Sequence, residues 1–234
     1  MKKYAAMALV YMMVVGIFLG AAWIGSRTVS VMALRQPVER AHTVVIDAGH
    51  GGEDGGAVSC TGVMEKQINL EIARRLNDLL HLLGYSTQMI RTTDVSVYTS
   101  GDTIARRKAS DLQVRVKMVE KIDSPILVSI HQNLFPDARY SGAQVFYDPA
   151  GKGQELAEAL QATFCSTLNP GSHRAIKKAS GIYLMEHISC PAILVECGFL
   201  SNPQEESLLR SDKYQKNISI VITAGVAEFL DSQT

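Results

Sequence analysis

The 234-residue chain has no excess of charge, because 23 Lys and Arg residues balance 23 Asp and Glu residues. Without a basic excess, the sequence does not indicate a nucleic-acid-binding protein, and it has no acidic tail of the solvating kind. It also lacks internal repeats and low-complexity tracts. None of the cysteines is spaced as CxxC, so we expect four small buried side chains, although an even number would permit disulfides in an exported protein: Cys60, Cys165, Cys190 and Cys197.

Charge is also missing from one long stretch near the N-terminus. Lys2 and Lys3 precede 23 uncharged residues, and the next charge is Arg27. This length can span a bilayer, and the preceding positive charge predicts that the rest of the chain is exported. The segment could instead be a signal peptide cleaved after Ala22 or Ala33. We favour the uncleaved anchor over the signal peptide, and both over a buried core helix. The predicted division is an anchor or signal peptide at 1–26, a linker at 27–42 and a catalytic domain at 43–234.

Short apolar runs alternate with helical patterns after residue 42. The repeat of Ile68, Ile72 and Leu76 predicts a helix that begins near Glu65 and ends at Gly84. Further helices are predicted at 111–121, 154–168 and 212–230, and one is predicted to start at Ser201. Strands are predicted at 43–47, 86–91, 125–131, 142–147, 181–185 and 191–197. This alternation predicts an α/β fold with a mainly parallel, twisted central sheet and helices on both faces.

Three of the predicted strands end in, or run into, a side chain suited to chemistry. His50 follows the first strand in the stretch VVIDAGHGGEDGGAV, His131 ends PILVSIH, and Glu196 lies in PAILVEC. Glu65 opens the first helix, just beyond the glycine-rich loop. Because the carboxyl ends of parallel strands share one edge of a sheet, we expect these four side chains to converge.

Two imidazoles and one carboxylate form a common catalytic zinc site with a position open for water. Zinc would activate that water and polarise a carbonyl, and a carboxylate outside the ligand set would transfer protons. Glu196 suits that role if His50, Glu65 and His131 are the ligands. The HExxH pattern is absent, so no short motif establishes the site. GxxxxGK is also missing, which argues against phosphate binding in the glycine loop.

Each candidate also has a structural alternative. His50 could cap a turn, His131 could be a hydrogen-bonded core histidine, and Glu65 could be an ordinary acid in the first turn of a helix. Glu196 is harder to explain in this way, because a carboxylate within an apolar strand must be paired, metal-bound or functional if it is buried.

Four stretches together resemble one known family, the zinc-dependent N-acetylmuramoyl-L-alanine amidases of bacterial cell walls. They extend in the same order over nearly the whole predicted exported part, and they read IDAGHGGEDGGA, GVMEKQINLEIARRL, SIHQN and LVECGFLSNPQE. Within the family the chain is most similar to the sporulation branch of germination-specific cortex amidases. The stretches SGAQVFY and GIYLMEHI carry that similarity, together with the basic residues of 106–117 and the N-terminal apolar segment.

The resemblance implies a mainly parallel sheet, a zinc ion held by His50, Glu65 and His131, and Glu196 as the catalytic carboxylate. It implies hydrolysis of the amide between N-acetylmuramic acid and L-alanine in peptidoglycan. In the sporulation branch, a separate deacetylase would then complete muramic-δ-lactam formation. The chain departs from many relatives in one respect, because Gln144 stands where they carry a glutamate. This places more weight on Glu196 and agrees with the sporulation branch.

Several further expectations concern the surroundings of the site. Asp47 is predicted to orient His50, and Asn133 could bind substrate or form a turn. A cationic group could meet the carboxylates of stem peptides, although we favour a solvated helix face as its interpretation. The group consists of Arg106, Arg107, Lys108 and Arg115.

The expected partners are peptidoglycan and, through residues 1–26, the membrane, with the need for an activating protein left open. We expect the catalytic part to work outside the cytoplasmic membrane, with the forespore intermembrane space as one candidate compartment. Two other functions remain open from the sequence. One is a zinc peptidase that acts within the stem peptide, and the other is an inactive, membrane-anchored wall-binding module.

Overall fold

The computed structural model describes residues 42–233. The predicted anchor or signal peptide at 1–26 therefore lies outside the described residues, as does all of the predicted linker except its last residue. Within residues 42–233, no helix combines the length and the apolar character needed to cross a bilayer.

One six-stranded sheet forms the centre of the described part of the chain, in the order β2-β1-β3-β6-β4-β5. All neighbouring strands are parallel except β4 and β6, which run antiparallel. The strands are β1 (Thr43–Ala48), β2 (Ser86–Met89), β3 (Pro125–Asn133), β4 (Gln144–Tyr147), β5 (Lys177–Lys178) and β6 (Ala192–Phe199). The mixed sheet confirms the predicted fold class, and its three central parallel strands are β1, β3 and β6.

The central strands are apolar on both faces, which is why they occupy the middle of the sheet. In β1 every residue from Val44 to Ala48 is buried, and in β6 only Glu196 is not fully buried. The edge strands β2 and β5 are short and carry exposed side chains. Short edge strands are common because they leave few unpaired backbone N–H and C=O groups with which another chain could pair.

Helices cover both faces of the sheet, as predicted. Residues of α1, α3 and α6 pack with Val44 and Ile46 on one face, and residues of α2 and α4 pack with Val45 and Leu127 on the other. The helices are α1 (Glu65–Leu82), α2 (Ile104–Glu120), α3 (Gln154–Thr167), α4 (Tyr183–Glu186), α5 (Pro203–Leu209) and α6 (Asp212–Ser232).

Three predicted elements differ from the structure. The segment predicted as a strand at 181–185 contributes instead to α4, because a short apolar run does not by itself distinguish a strand from a helix. Helix α2 begins at Ile104 and not at Asp111. Thr103 caps this earlier start, because its side chain accepts a hydrogen bond from the Arg106 N–H. The cap of α5 is Asn202 rather than Ser201, and Pro203 follows it at the first helical position.

The four cysteines are all free thiols, so no disulfide is formed. Cys190 and Cys197 are buried and Cys165 is half-buried, in line with the expectation of small packed side chains. Cys60 differs, because it lies exposed in the loop between β1 and α1.

Candidate metal centre

His50, Glu65 and His131 meet at the carboxyl ends of β1 and β3, next to the N-terminus of α1. One ligand atom from each residue can be chosen so that all three lie within 4.8 Å of one another. The Nε2 atom of His50 lies 3.2 Å from Oε2 of Glu65, and Nδ1 of His131 lies 2.9 Å from Oε1. Two imidazoles and a carboxylate are a typical zinc donor set, so the residues fit one such ion.

The Glu65 carboxylate is held in place by N–H donors as well as by the two imidazoles. Oε1 accepts from the Gln132 backbone N–H at 3.0 Å and from Nδ2 of Asn69 at 3.1 Å, and Oε2 accepts from the Ala57 N–H at 2.9 Å. Asn69 is completely buried and also donates to the carbonyl of Gly49. The carboxylate is therefore oriented before any ion binds, as a precise metal site requires.

The partner that orients His50 is Asp54, and the prediction that Asp47 fills this role is wrong. Nδ1 of His50 lies 2.9 Å from Oδ2 of Asp54, on the opposite side of the ring from Glu65. His50 has a φ of 64°, which turns its side chain away from the direction of β1 and towards the glycine loop. Only its spacing of four residues from His50 could have indicated Asp54 in the sequence.

Asp47 instead forms a buried ion pair with Arg115 of α2, and it also accepts a hydrogen bond from the Ser129 hydroxyl at 2.7 Å. Arg115 donates in addition to Asp111 and to the carbonyl of His50, the latter at 2.8 Å. Arg115 is only 2% exposed. It is therefore neither a substrate-facing cation nor part of a solvated helix face, and it ties α2 to the end of β1.

The other predicted cations lie at or near the surface in ion pairs. Arg106 pairs with Asp102, Arg107 with Glu53, and Lys108 with Asp54. Arg106 is 71% exposed, which agrees with the favoured interpretation of a solvated helix face. Lys108 differs, since it lines a cleft of about 100 Å³ together with His50 and His131.

Two glycines allow the ligands to approach the backbone closely. A Cβ atom on Gly49 would lie 2.3 Å from the His131 ring. A Cβ atom on Gly56 would lie 2.6 Å from both His50 and Glu65, at a backbone φ of 68° that favours glycine. The glycine-rich sequence is therefore explained by close packing around the three candidate ligands.

Electrostatics at the centre favour a bound cation. Burial alone would lower the pKa of His50, but hydrogen bonds to Asp54 and Glu65 outweigh it and raise that pKa to about 9. Burial alone would raise the pKa of Glu65, but His131 and His50 hold it well below its usual range. A carboxylate that stays ionised at this depth provides a strong attraction for a positive charge.

Glu196 lies one strand beyond His131, as its register partner in the β3–β6 ladder. Its Oε2 atom is buried and has no hydrogen-bond partner within residues 42–233. Burial raises the pKa of Glu196 to about 7; the charge of Glu65 adds to this rise, while His131 and His50 oppose it. An unpartnered carboxyl group with such a pKa can take up and release protons near neutrality.

Gln144 is the register partner of Glu196 on the other side, in the antiparallel β4. Its side chain is committed to protein contacts, because Nε2 donates to the Ala175 carbonyl and Oε1 accepts from Nη1 of Arg174. Asn133 ends β3, and its carbonyl accepts from the Leu200 N–H.

Comparison with known proteins identifies the family to which this fold belongs. The family model for N-acetylmuramoyl-L-alanine amidases matches residues 44–228. The germination-specific N-acetylmuramoyl-L-alanine amidase of Bacillus subtilis (strain 168) is 37% identical over 188 residues, which are 80% of this chain and 78% of that protein.

Two solved structures from clostridial bacteria have the same fold. The first is the CwlD amidase from Clostridioides difficile in complex with the GerS lipoprotein, which is 33% identical at a TM-score of 0.78 and covers 81% of this chain and 98% of that one. The second is an N-acetylmuramoyl-L-alanine amidase from Clostridium difficile 630, which is 32% identical at a TM-score of 0.73 and covers 84% and 100%. The chain therefore belongs to the N-acetylmuramoyl-L-alanine amidases, enzymes that hydrolyse peptidoglycan.

Proposed function

We propose that the chain is a zinc-dependent amidase in which His50, Glu65 and His131 hold the ion and Glu196 is the catalytic carboxylate. One observation carries this proposal. The three candidate ligands converge within 4.8 Å, and the only buried carboxylate oxygen without a hydrogen-bond partner in residues 42–233 belongs to Glu196, on the adjacent strand.

Zinc, when bound, would supply a Lewis acid for the amide carbonyl and an acidified water. The protein's own residues orient the ligands and transfer the proton. Asp54 keeps the proton of His50 on Nδ1 and so presents Nε2 as a ligand. Glu196 accepts a proton from the attacking water and returns it to the amine of L-alanine as that amine leaves. The two products are a muramic acid free of peptide and a free stem peptide.

We further propose that the substrate is spore cortex peptidoglycan, where the amidase step would precede muramic-δ-lactam formation by a separate deacetylase. The supporting observation is the similarity to the germination-specific relative. This assignment requires export. It therefore includes the expectation that residues 1–26 act as an anchor or signal peptide and place the enzyme outside the cytoplasmic membrane.

A protein partner is also part of the proposal. The similar CwlD amidase is in complex with the GerS lipoprotein, and we propose that this chain likewise assembles with an exported protein. Zinc binding and activity of the purified chain, measured without and with a cell-envelope extract of its own organism, would test the need for that protein. Full zinc occupancy and activity in the isolated chain would refute it.

Digestion of purified peptidoglycan tests the proposed reaction. We expect mass spectrometry to find peptide-free muramic acid for the wild type with zinc, and no product for Glu196→Gln, which keeps the side chain's shape but cannot accept a proton. Shortened stem peptides would instead indicate a zinc peptidase. A wild type that leaves peptidoglycan intact but binds it as well as Glu196→Gln does would indicate a wall-binding module.

Metal analysis separates the proposed ligands from the proposed base. We expect His50→Ala and His131→Ala to lose zinc, because each removes one of three donors. We expect Glu196→Ala to retain zinc and to lose activity. Full zinc occupancy without either histidine would overturn the ligand assignment.

A further inference from the structure

A second cavity, of about 760 Å³, opens beside β4. Its lining includes two arginines, a lysine and the aromatic ring of Tyr140, and it also includes Gln144, the neighbour of Glu196 across the β4–β6 ladder. The cavity thus begins one strand away from the proposed catalytic carboxylate.

Arg174 is one of the three Arg and Lys residues that line this cavity, and its position is fixed. Its Nε donates to the Ser141 carbonyl at 2.7 Å and its Nη1 donates to Oε1 of Gln144 at 3.0 Å. The guanidinium also stacks on the Phe199 ring, 4.6 Å from the centroid. These contacts leave Nη2 without a protein partner within residues 42–233.

The positive charge of Arg174 is not neutralised by an ion pair within the described residues. Burial raises the pKa of Glu205 on balance, while the charge of Arg174 lowers it, but the Glu205 oxygens bond to the Gly142 and Phe199 N–H groups and not to the guanidinium. Arg139, the other arginine of the cavity, differs, because Asp137 binds its guanidinium. Arg174 is therefore a preorganised arginine that keeps one free donor group, Nη2, and such a charged donor suits a carboxylate.

We propose that Arg174 binds a carboxylate of the stem peptide and so forms a specificity subsite for acidic peptides. Gln144 lies one strand beyond Glu196, and Arg174 one hydrogen bond beyond Gln144, so the guanidinium is on the order of 8 Å from the proposed base. An extended peptide advances about 3.3–3.6 Å per residue. A peptide with its scissile amide at Glu196 would therefore present its second or third residue to Arg174.

This subsite rests on the proposed amidase function, and the substrates can be chosen to separate the two. The test uses the zinc-loaded full chain and three synthetic substrates. The first is a muramoyl tripeptide with carboxylates on its second and third residues, the second is the same tripeptide with carboxamides, and the third is muramoyl-L-alanine methylamide. We expect the wild type to cleave all three, with kcat/KM about tenfold higher for the carboxylate tripeptide, as one charge-assisted contact would give.

Arg174→Gln should lose the tenfold preference through a higher KM, with an unchanged kcat and unchanged cleavage of the methylamide. Arg174→Lys, which keeps the charge but not the fixed position of the Nη2 donor, should retain part of the preference. Arg106→Gln is a matched control that removes an exposed arginine from α2, and it should keep the full preference.

A wild type without any preference would overturn the subsite even if Arg174→Gln failed to fold. So would an Arg174→Gln variant that retains the preference, or an Arg106→Gln variant that loses it. If the wild type cleaves none of the three substrates, whether alone or with its proposed protein partner, the proposed function itself fails. Cleavage of the methylamide without a carboxylate preference defeats the subsite alone.

Discussion

Replacing Gly49 with alanine should damage the metal centre without touching any proposed ligand. A Cβ atom at this position would lie 2.3 Å from both Cε1 and Nε2 of the His131 ring. Ordinary contacts with a Cβ atom begin at 3.4 Å, so the ring or the backbone of β1 must move by about 1 Å. Functional groups tolerate only ~0.5 Å of displacement before a site loses its geometry.

The expected effect follows from that displacement. A misplacement of ~1 Å costs activity on the order of 100-fold, and zinc occupancy should fall with it because His131 is a proposed ligand. Forcing one methyl group into a packed site costs about 1–3 kcal/mol of the free energy of unfolding. In a domain of this size each of these kcal/mol lowers the Tm by about 2–4 °C, so most of the protein remains folded at room temperature.

The assay combines zinc content, peptidoglycan hydrolysis and thermal unfolding of Gly49→Ala. Gly55→Ala is the matched control, because it lies in the same loop and the atoms nearest to its added Cβ would belong to the flexible Met64 side chain, the first at 3.1 Å. We expect the control to keep both zinc and activity. A Gly49→Ala enzyme with wild-type zinc content and wild-type activity would refute the reasoning.

Two further predictions concern the acids beside His50. Asp54→Asn should weaken zinc binding about 10- to 100-fold at pH 9. Both Nδ1 of His50 and the Gly56 N–H need an acceptor at this position, and an amide offers only one oxygen. A competition titration with a chelator measures the zinc affinity, and an unchanged affinity would contradict the prediction. Arg115→Met should lower the free energy of unfolding by about 3–5 kcal/mol at pH 7, because it leaves Asp47 buried and unpaired. Burial alone would raise the pKa of Asp47, but Arg115 and the neighbouring donors lower it on balance. The stability that the pair contributes is therefore complete above the unfolded Asp47 pKa of about 3.9, and it is lost as the pH falls through the lower folded pKa. Urea denaturation should show that the difference in stability between wild type and variant shrinks in acid. A difference independent of pH would contradict this prediction.

Much of the site could be predicted because its residues are fixed by the ends of strands. His131 and Glu196 lie in apolar runs whose direction and neighbours follow from a parallel sheet, and β3 and β6 place them in register. The convergence of Glu65 could be predicted because the glycine-rich loop that follows β1 leads directly into a clear helix start.

The surroundings of the ligands were harder to predict, because they depend on backbone turns and on long-range contacts. The positive φ of His50 directs its ring to Asp54, and a sequence does not reveal that turn. Asp47 does not reach the His50 ring, because it remains within β1 and lies opposite Ser129 in the β1–β3 ladder. Arg115 is separated from Asp47 by 68 residues and looked like one more surface cation.

The reversed direction of β4 has a consequence for how this enzyme class can diversify. Because β4 runs against its neighbour β6, the edge that carries Glu196 meets the beginning of β4 rather than its end. The segment 134–143 therefore starts beside the metal centre at the end of β3 and returns to the same edge at Gln144. Both of its attachment points are rigid, while its interior is outside the sheet. Insertions or exchanges within this segment would reshape the cavity beside β4, which Arg139 and Tyr140 help to line, while the ligand-bearing strands keep their register.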